Sequence, residues 1–330
     1  MELRRPDFYD RFRCIASACP DSCCKEWDVA VDSEKAAFYR GLPGELGDRL
    51  RAFLRDEEDG VYLTLDAGRC PMWRSDGLCR IQAELGEKAL CQTCREFPRL
   101  RHDYGSFTEL GLELSCPEAA RILLSQENWH WVRQGAATES PDYDTRDMEI
   151  LLQTRETAMA LTREEDPLTA LLLYGYHAQQ DFDAGEMTPF DPAAALKTAE
   201  EFRGEGNVDA FLEVFRGLEI LTPAWREMLS NPQPRGLQKE DRAMLRYFLS
   251  RYWLQAISDF DLAARGKTIV ALTLLCCLLG GETVPTAQLM SKEIENDADN
   301  LDALLDGAYD APGLTDANLL ALIHNVTAHS

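Results

Sequence analysis

Residues 14–27 read Cys-Ile-Ala-Ser-Ala-Cys-Pro-Asp-Ser-Cys-Cys-Lys-Glu-Trp, with thiols at Cys14, Cys19, Cys23 and Cys24. Further thiols follow at Cys70-Pro71, Cys79-Arg80-Ile81, the Cys91-x2-Cys94 pair and Cys116-Pro117, and then none until Cys276. Nine of the eleven cysteines thus lie in the first 116 residues. A core does not need thiols at that density, because Val, Leu or Ala fill space as well. Thiols gathered at one end of a chain are either oxidised in pairs or bound to metal. The polar start, Met1-Glu-Leu-Arg-Arg-Pro-Asp7, carries no secretory signal pattern, so a cytoplasmic location is expected. Thiols stay reduced there, which favours metal over disulfides. The odd number of clustered thiols also argues against a fully paired framework.

Beyond the cysteines the pattern turns helical. Residues 1–134 read as a small Cys-rich α+β metal-binding domain. Ser33 is expected to cap a helix from Glu34, broken at Gly41-Leu-Pro-Gly44, and a second helix from Glu45 carries Leu46, Leu50, Phe53 and Leu54 on one face. Val61–Leu65 and Phe107–Leu114 read as strands, Ser75-Asp-Gly77 as a turn, and Ile81–Leu85 and Lys88–Arg95 as helices. Pro117 should open a long helix with Cys116 near its N-cap. Residues 145–330 read as an all-α domain after a linker at 135–144, with helices over 148–161, 168–180, 192–203, 208–221, 239–254 and 261–279. The fold class is therefore mainly α.

The net charge of −23 falls almost wholly after residue 105. An acidic surface repels phosphate backbones, so no nucleic acid partner is expected. It attracts basic surfaces, lysine-bearing proteins among them, or simply confers solubility. The longest apolar run, Thr268–Leu279, is too short to span a bilayer and predicts a buried helix, hence no membrane partner. Cys276 and Cys277 in that run read as core residues.

Soft all-thiolate ligation suits zinc or an iron–sulfur cluster, and His102 is the one histidine in the first 116 residues, which weighs against a Cys2His2 site. Proline follows Cys19, Cys70 and Cys116, a step that also accompanies cluster ligation in ferredoxins. At a helix start the Cys116 thiolate would gain from free amides and the dipole. Arg95, Arg99 and Arg101 follow the CxxC pair. They could offset the charge of an anionic cluster, bind a substrate carboxylate, or form a solvated strip; Arg95 and Arg99 are the candidate cofactor-binding residues. Adjacent side chains at Cys23 and Cys24 diverge, so one packs while the other ligates, or the two serve separate centres. Nine thiols exceed the four of one site.

The first group, Cys70-Pro71, Cys79-Arg80-Ile81 and Cys91 together resemble a CxxCxxCC-type, YkgJ-like zinc- or iron-chelating domain. More specifically, Phe12-Arg-Cys14, Cys23-Cys-Lys-Glu-Trp27, Cys79-Arg-Ile-Gln, Cys94-Arg-Glu-Phe-Pro98-Arg99 and Leu114-Ser-Cys116-Pro-Glu resemble the flagellin lysine-N-methylase family, densely over residues 8–125. The resemblance implies transfer of methyl from S-adenosylmethionine to lysine ε-amines of flagellin, with a 4Fe–4S cluster (zinc being the alternative) held among Cys14, Cys19, Cys23, Cys24, Cys70, Cys79, Cys91, Cys94 and Cys116. No glycine-rich turn of the Rossmann kind is present, so the donor site must be of another type. Lysine must lose a proton before it attacks; Tyr39, Tyr62, Tyr104, Glu96 and Glu118 are the acceptors weighed, and Trp27 and Trp73 could face a cation or simply shield the thiols. The competing reading is a non-catalytic zinc- or iron-binding module fused to a helical interaction domain.

Overall fold

The computed structural model describes residues 2–136, 141–202 and 204–327. Part of the expected linker, residues 137–140, and Arg203 at the end of one expected helix lie outside the described residues. Seven strands are present among the described residues: β1 (Glu2–Pro6), β2 (Val29–Ala30), β3 (Leu54–Asp56), β4 (Val61–Leu63), β5 (Arg99–Asp103), β6 (Phe107–Leu112) and β7 (Trp131–Gln134). The first part of the chain adds helices α1 (Ser33–Gly41), α2 (Gly44–Phe53), α3 (Arg80–Leu85), α4 (Gln92–Glu96) and α5 (Pro117–Leu124). The remainder is helical: α6 (Thr145–Leu161), α7 (Pro167–Ala184), α8 (Pro192–Ala199), α9 (Val208–Arg216), α10 (Pro223–Ser230), α11 (Lys239–Tyr252), α12 (Ala256–Asp259), α13 (Leu262–Leu279), α14 (Thr283–Met290), α15 (Ala298–Asp310) and α16 (Asp316–Thr327). The fold is mainly α with small sheets, as patterned.

One sheet runs β5-β6-β1-β7, with β1 parallel to β6 and antiparallel to β7. The N-terminal strand therefore sits inside a sheet whose other members come about a hundred residues later, and the cysteine-rich stretch loops out between them. The smaller sheet runs β2-β4-β3, antiparallel throughout. Two apolar cores follow. One lies between Val29 and Cys91 and includes Tyr39, Leu50, Leu63, Met72 and Ile81. The other joins Phe8, Phe12, Phe107 and Leu112 to the helices as far as Val326.

Helix α13 is the axis of the larger core. It is long and apolar enough to cross a membrane by length and composition, and nearly all of it is buried within the chain. It crosses α7 where glycines meet: a Cβ on Gly266 would lie 3.0 Å from the Gly175 Cα, so side chains at both positions would force the helices apart.

Part of the acidic surplus has a local purpose. Asp144, Asp166, Asp191, Asp261 and Asp297 each cap a helix by accepting backbone N–H bonds in its first turn, an arrangement worth about 1 kcal/mol apiece. The same preference moves the α1 cap from Ser33 to Asp32, whose carboxylate accepts from the Lys35 N–H at 3.0 Å. The helix expected over Lys88–Arg95 is split: Glu87–Ala89 forms a single 3-10 turn, and Cys91 is extended, as the N-cap of α4 must be. Helix α5 ends at Leu124, short of the long helix expected, and the chain turns back to supply β7.

Candidate functional site

Three of the clustered cysteines share one local design. Cys79, Cys91 and Cys116 are the N-cap residues of α3, α4 and α5, with extended backbones that bring each thiol toward free amides. Cys94 lies one turn into α4. Asp32 fixes that helix, accepting from the Gln92 N–H at 2.8 Å while capping α1, and Thr93 Oγ1 donates to the Ala30 carbonyl at 2.8 Å. The Cys70 N–H donates to the Cys24 carbonyl at 2.7 Å, so the first cysteine group is laced to the second through the backbone. Trp27 Nε1 donates to the Cys23 carbonyl at 2.9 Å.

All eleven cysteines are free thiols. Thiol meets thiol in three places: Cys23 with Cys24, Cys24 with Cys70, and Cys91 with Cys94. Cys79 feels the charge of Cys23 and Cys91, and Cys94 that of Cys24 and Cys70. A second neighbourhood joins Cys19 to Cys14, and Cys116 to Cys19, with Cys23 acting on both Cys19 and Cys116. Cys23 therefore touches both neighbourhoods, while Cys24 belongs to the first.

Crowding sets the titration of these groups. The Cys24 thiol, then burial, holds Cys23 far above the usual thiol range. Cys23 draws Cys24 down, but Cys70 and burial outweigh it and push Cys24 up to about 12. Cys70 is lowered by its bond to Cys24, and Cys91 by its bond to Cys94, whose own pKa rises in exchange. Burial pushes Cys116 up to about 12 against the pull of the Ala119 and Glu118 amides. The stabilisation expected for its thiolate at the helix start is thus outweighed by burial. Among the described residues no group of three or more His, Cys, Asp or Glu side chains has the geometry to hold a metal ion.

The cysteine loop is docked on the helical body by polar contacts that no sequence pattern announces. Between α14 and α15 the chain makes one π-helical turn, Ser291–Glu295. Its Lys292 Nζ lies 2.5 Å from Glu26 Oε2 and 3.5 Å from Asp21 Oδ2, and its side chain is 8% exposed. Gln288 of α14 donates to Asp21 at 3.1 Å and to the Ser115 carbonyl at 2.8 Å, linking the loop to the stretch before Cys116. Asp21 and Glu26 flank the Cys23-Cys24 pair in sequence, which is the only signal that could have marked them. On the other side of the same turn, Glu295 accepts from Tyr247 and Tyr252 and pairs with Arg251.

The remaining sequence candidates are scattered. Arg95 is exposed on α4, and Arg99 on β5 lies over the Phe12 ring, 5.1 Å from its centroid. Tyr39 is buried, donates to the Ala89 carbonyl at 2.7 Å, and is held protonated by burial and by the nearby Cys91 and Cys94. Burial likewise raises Tyr104, and the Asp59 bond raises Tyr62. Glu118 is lowered by a two-pronged bond from Arg121, while Glu96 is exposed. Trp73 has Arg69 over its ring at 4.3 Å. Cys276 and Cys277 are wholly buried in α13.

Curated relatives match one stretch of the chain. A lysine-N-methylase of Salmonella typhimurium is 34% identical over 130 residues, covering 37% of this chain and 32% of that protein. The flagellar biosynthetic protein FliU of Salmonella muenchen is 33% identical over 130 residues, covering 37% of this chain and 77% of that protein. The chain belongs to the flagellin lysine-N-methylase family. A second lysine-N-methylase, from Salmonella choleraesuis, is 33% identical over 130 residues and is covered over 32% of its length. The match to this family therefore spans about a third of the length of the two lysine-N-methylases. No family model matches the chain, so its likeness to YkgJ-like cysteine domains rests on the motifs alone. No solved structure matches it.

Proposed function

We propose that this chain is a protein-lysine N-methyltransferase that moves methyl from S-adenosylmethionine to lysine ε-amines of flagellin, and that its clustered thiols hold a 4Fe–4S cluster. The observation that carries the reading is the gathering of nine free thiols in a chain of the lysine-N-methylase family. Within each contacting pair one thiol's ionisation raises the other, as Cys24 does to Cys23, Cys70 to Cys24 and Cys91 to Cys94, so both members ionise together only when a cation supplies the compensating charge. A cubane takes one thiolate per iron, and the family resemblance is what favours it over zinc. Cys24, Cys70, Cys79, Cys91 and Cys94 are the set from which four ligands would be drawn.

When bound, the cluster would supply a polarising, redox-capable centre beside the thiols. The chain's own residues position the thiols that would hold it: Asp32 fixes α4, the Cys70–Cys24 backbone bond joins the two halves, and Lys292 with Gln288 clamps the loop. In the transfer, the neutral lysine nitrogen forms the new N–C bond as the S–CH3 bond breaks, and the sulfonium leaves as a thioether. Tyr39 and Tyr104 are poor acceptors for the lysine proton, because burial keeps both protonated. Glu96, exposed one turn from Cys91 and Cys94, remains open to a substrate. Incubating the anaerobically purified chain with S-adenosylmethionine and flagellin, then mapping methylated lysines by mass spectrometry, tests the reading. Absence of lysine methylation by iron-loaded protein would leave the metal-binding module as the better account.

A further inference from the structure

A cleft between strand β7 and helix α6 holds a surplus of cations in a chain whose net charge is −23. Its volume is about 260 Å³, and Arg4, Arg133, Arg155, Arg163 and Arg246 line it against two carboxylates, Glu109 and Glu156. The sheet register explains the convergence. Arg133 of β7 sits opposite Arg4 of β1, and Arg4 beside Glu109 of β6, so the three form one row across the sheet. Trp131, two residues before Arg133, shares that face. Trp129 meets it edge to face, with ring centroids 5.0 Å apart, and both rings line the cleft.

Two of the five cations are neutralised. Arg155 clasps Glu109 through two 2.7 Å bonds, and Arg4 pairs with Glu2 at 2.6 Å. The other three have no carboxylate at ion-pair distance among the described residues. Arg133 is exposed, and Arg163 donates only to Asn128 Oδ1, at 3.2 and 2.9 Å. Arg246 is 6% exposed, donating to the Gln126 carbonyl at 2.9 Å and to Thr162 Oγ1 at 3.2 Å. Its Nε is buried with no acceptor at all. Burial first, then the like charges of Arg163 and Arg242, lower its pKa to about 10, against a smaller opposing pull from Glu127. A buried guanidinium with no carboxylate bonded to it is costly, and a bound anion would offset that cost.

We infer that this cleft binds a small anionic ligand, its oxyanion held by Arg133, Arg163 and Arg246 and its flat ring lying against Trp129 and Trp131. Guanidinium groups donate to phosphate and carboxylate oxygens alike, and indole faces hold a planar base or arene. None of the nine clustered cysteines lines the cleft, so the site stands apart from the proposed metal centre.

Calorimetric titration of the full chain with adenosine monophosphate, S-adenosylhomocysteine and adenosine tests this. The ring is common to the three; the first adds a phosphate, the second a carboxylate together with an ammonium group, the third neither. One of the two oxyanion-bearing compounds should bind at least about tenfold more tightly than adenosine, the value of one charge-assisted hydrogen bond. Preference for the monophosphate identifies the ligand as a phosphate, and preference for S-adenosylhomocysteine identifies it as a carboxylate. The exposed Arg133→Glu should abolish that preference without moving the thermal unfolding midpoint. Arg163→Glu provides the same reading should Arg246→Ala fail to fold. Equal binding of all three compounds, binding of none, or full affinity in Arg133→Glu would each overturn the inference. Flagellin methylation is read separately, so failure here and failure of the methyltransferase reading are distinguishable.

Discussion

Replacing Lys292 by Met keeps the apolar stem and removes the charge that ties the cysteine loop to the helical body. Lys292 is 8% exposed, with Glu26 Oε2 at 2.5 Å and Asp21 Oδ2 at 3.5 Å. Removing one partner of a fully buried pair costs about 3–5 kcal/mol. Here the carboxylates keep 20% and 27% exposure, and Lys25 stays 2.6 Å from Asp21, so water and Lys25 absorb part of the loss. The expected cost is therefore about 1.5–3 kcal/mol. Urea unfolding at neutral pH measures it, and alkylation of Cys19, Cys23 and Cys24 should quicken relative to buried Cys276. Adding Glu26→Gln to Lys292→Met should restore part of the stability, because it removes the stranded charge. A Lys292→Met variant within about 0.5 kcal/mol of the parent, an ordinary surface change, with unchanged alkylation, would refute the docking role.

Cys24→Ser and Cys70→Ser should each strip most of the iron from anaerobically purified protein, while Cys276→Ala should leave it, as read by iron content per chain. The junction should also weaken in acid. Burial alone would raise Asp21, but the Lys25 bond and the Lys292 charge hold it below its ordinary value. A depressed carboxylate stabilises the fold above its unfolded pKa of about 3.9, and that contribution is lost as pH falls through the lower folded value. Urea midpoints should accordingly fall on acidification, and less so in Asp21→Asn. Leu272→Ala, at a wholly buried position of α13, should cost about 2–5 kcal/mol of unfolding free energy. Asp297→Ala, which strips the α15 cap of its bonds to the Asp299 and Asn300 amides, should cost about 1 kcal/mol.

Periodicity makes the helical half legible, since each long helix buries one face or, in α13, every face. Thiol density likewise marks the candidate site, and Pro117 marks Cys116 as a cap, whereas the cap position of Cys91 is hidden inside what reads as one helix over Lys88–Arg95. The pairing of β1 with β6 and β7 is not legible, because register across a hundred residues is set by packing rather than by local pattern. The same holds for Lys292, which lies in a polar π-helical turn with no repeat to betray that it meets Asp21 and Glu26. The Arg133, Arg163 and Arg246 group escapes notice for a related reason. These residues come from a strand, the connection after α6, and helix α11, and only the folded chain brings them to one cleft.

The most direct test of the central reading is the absorption spectrum and iron content of the chain purified without oxygen. Iron approaching four atoms per chain, expected of one cubane, with broad absorbance near about 400 nm that Cys24→Ser removes, is the predicted result. A colourless protein carrying stoichiometric zinc, or one whose iron survives Cys24→Ser and Cys70→Ser together, would contradict it.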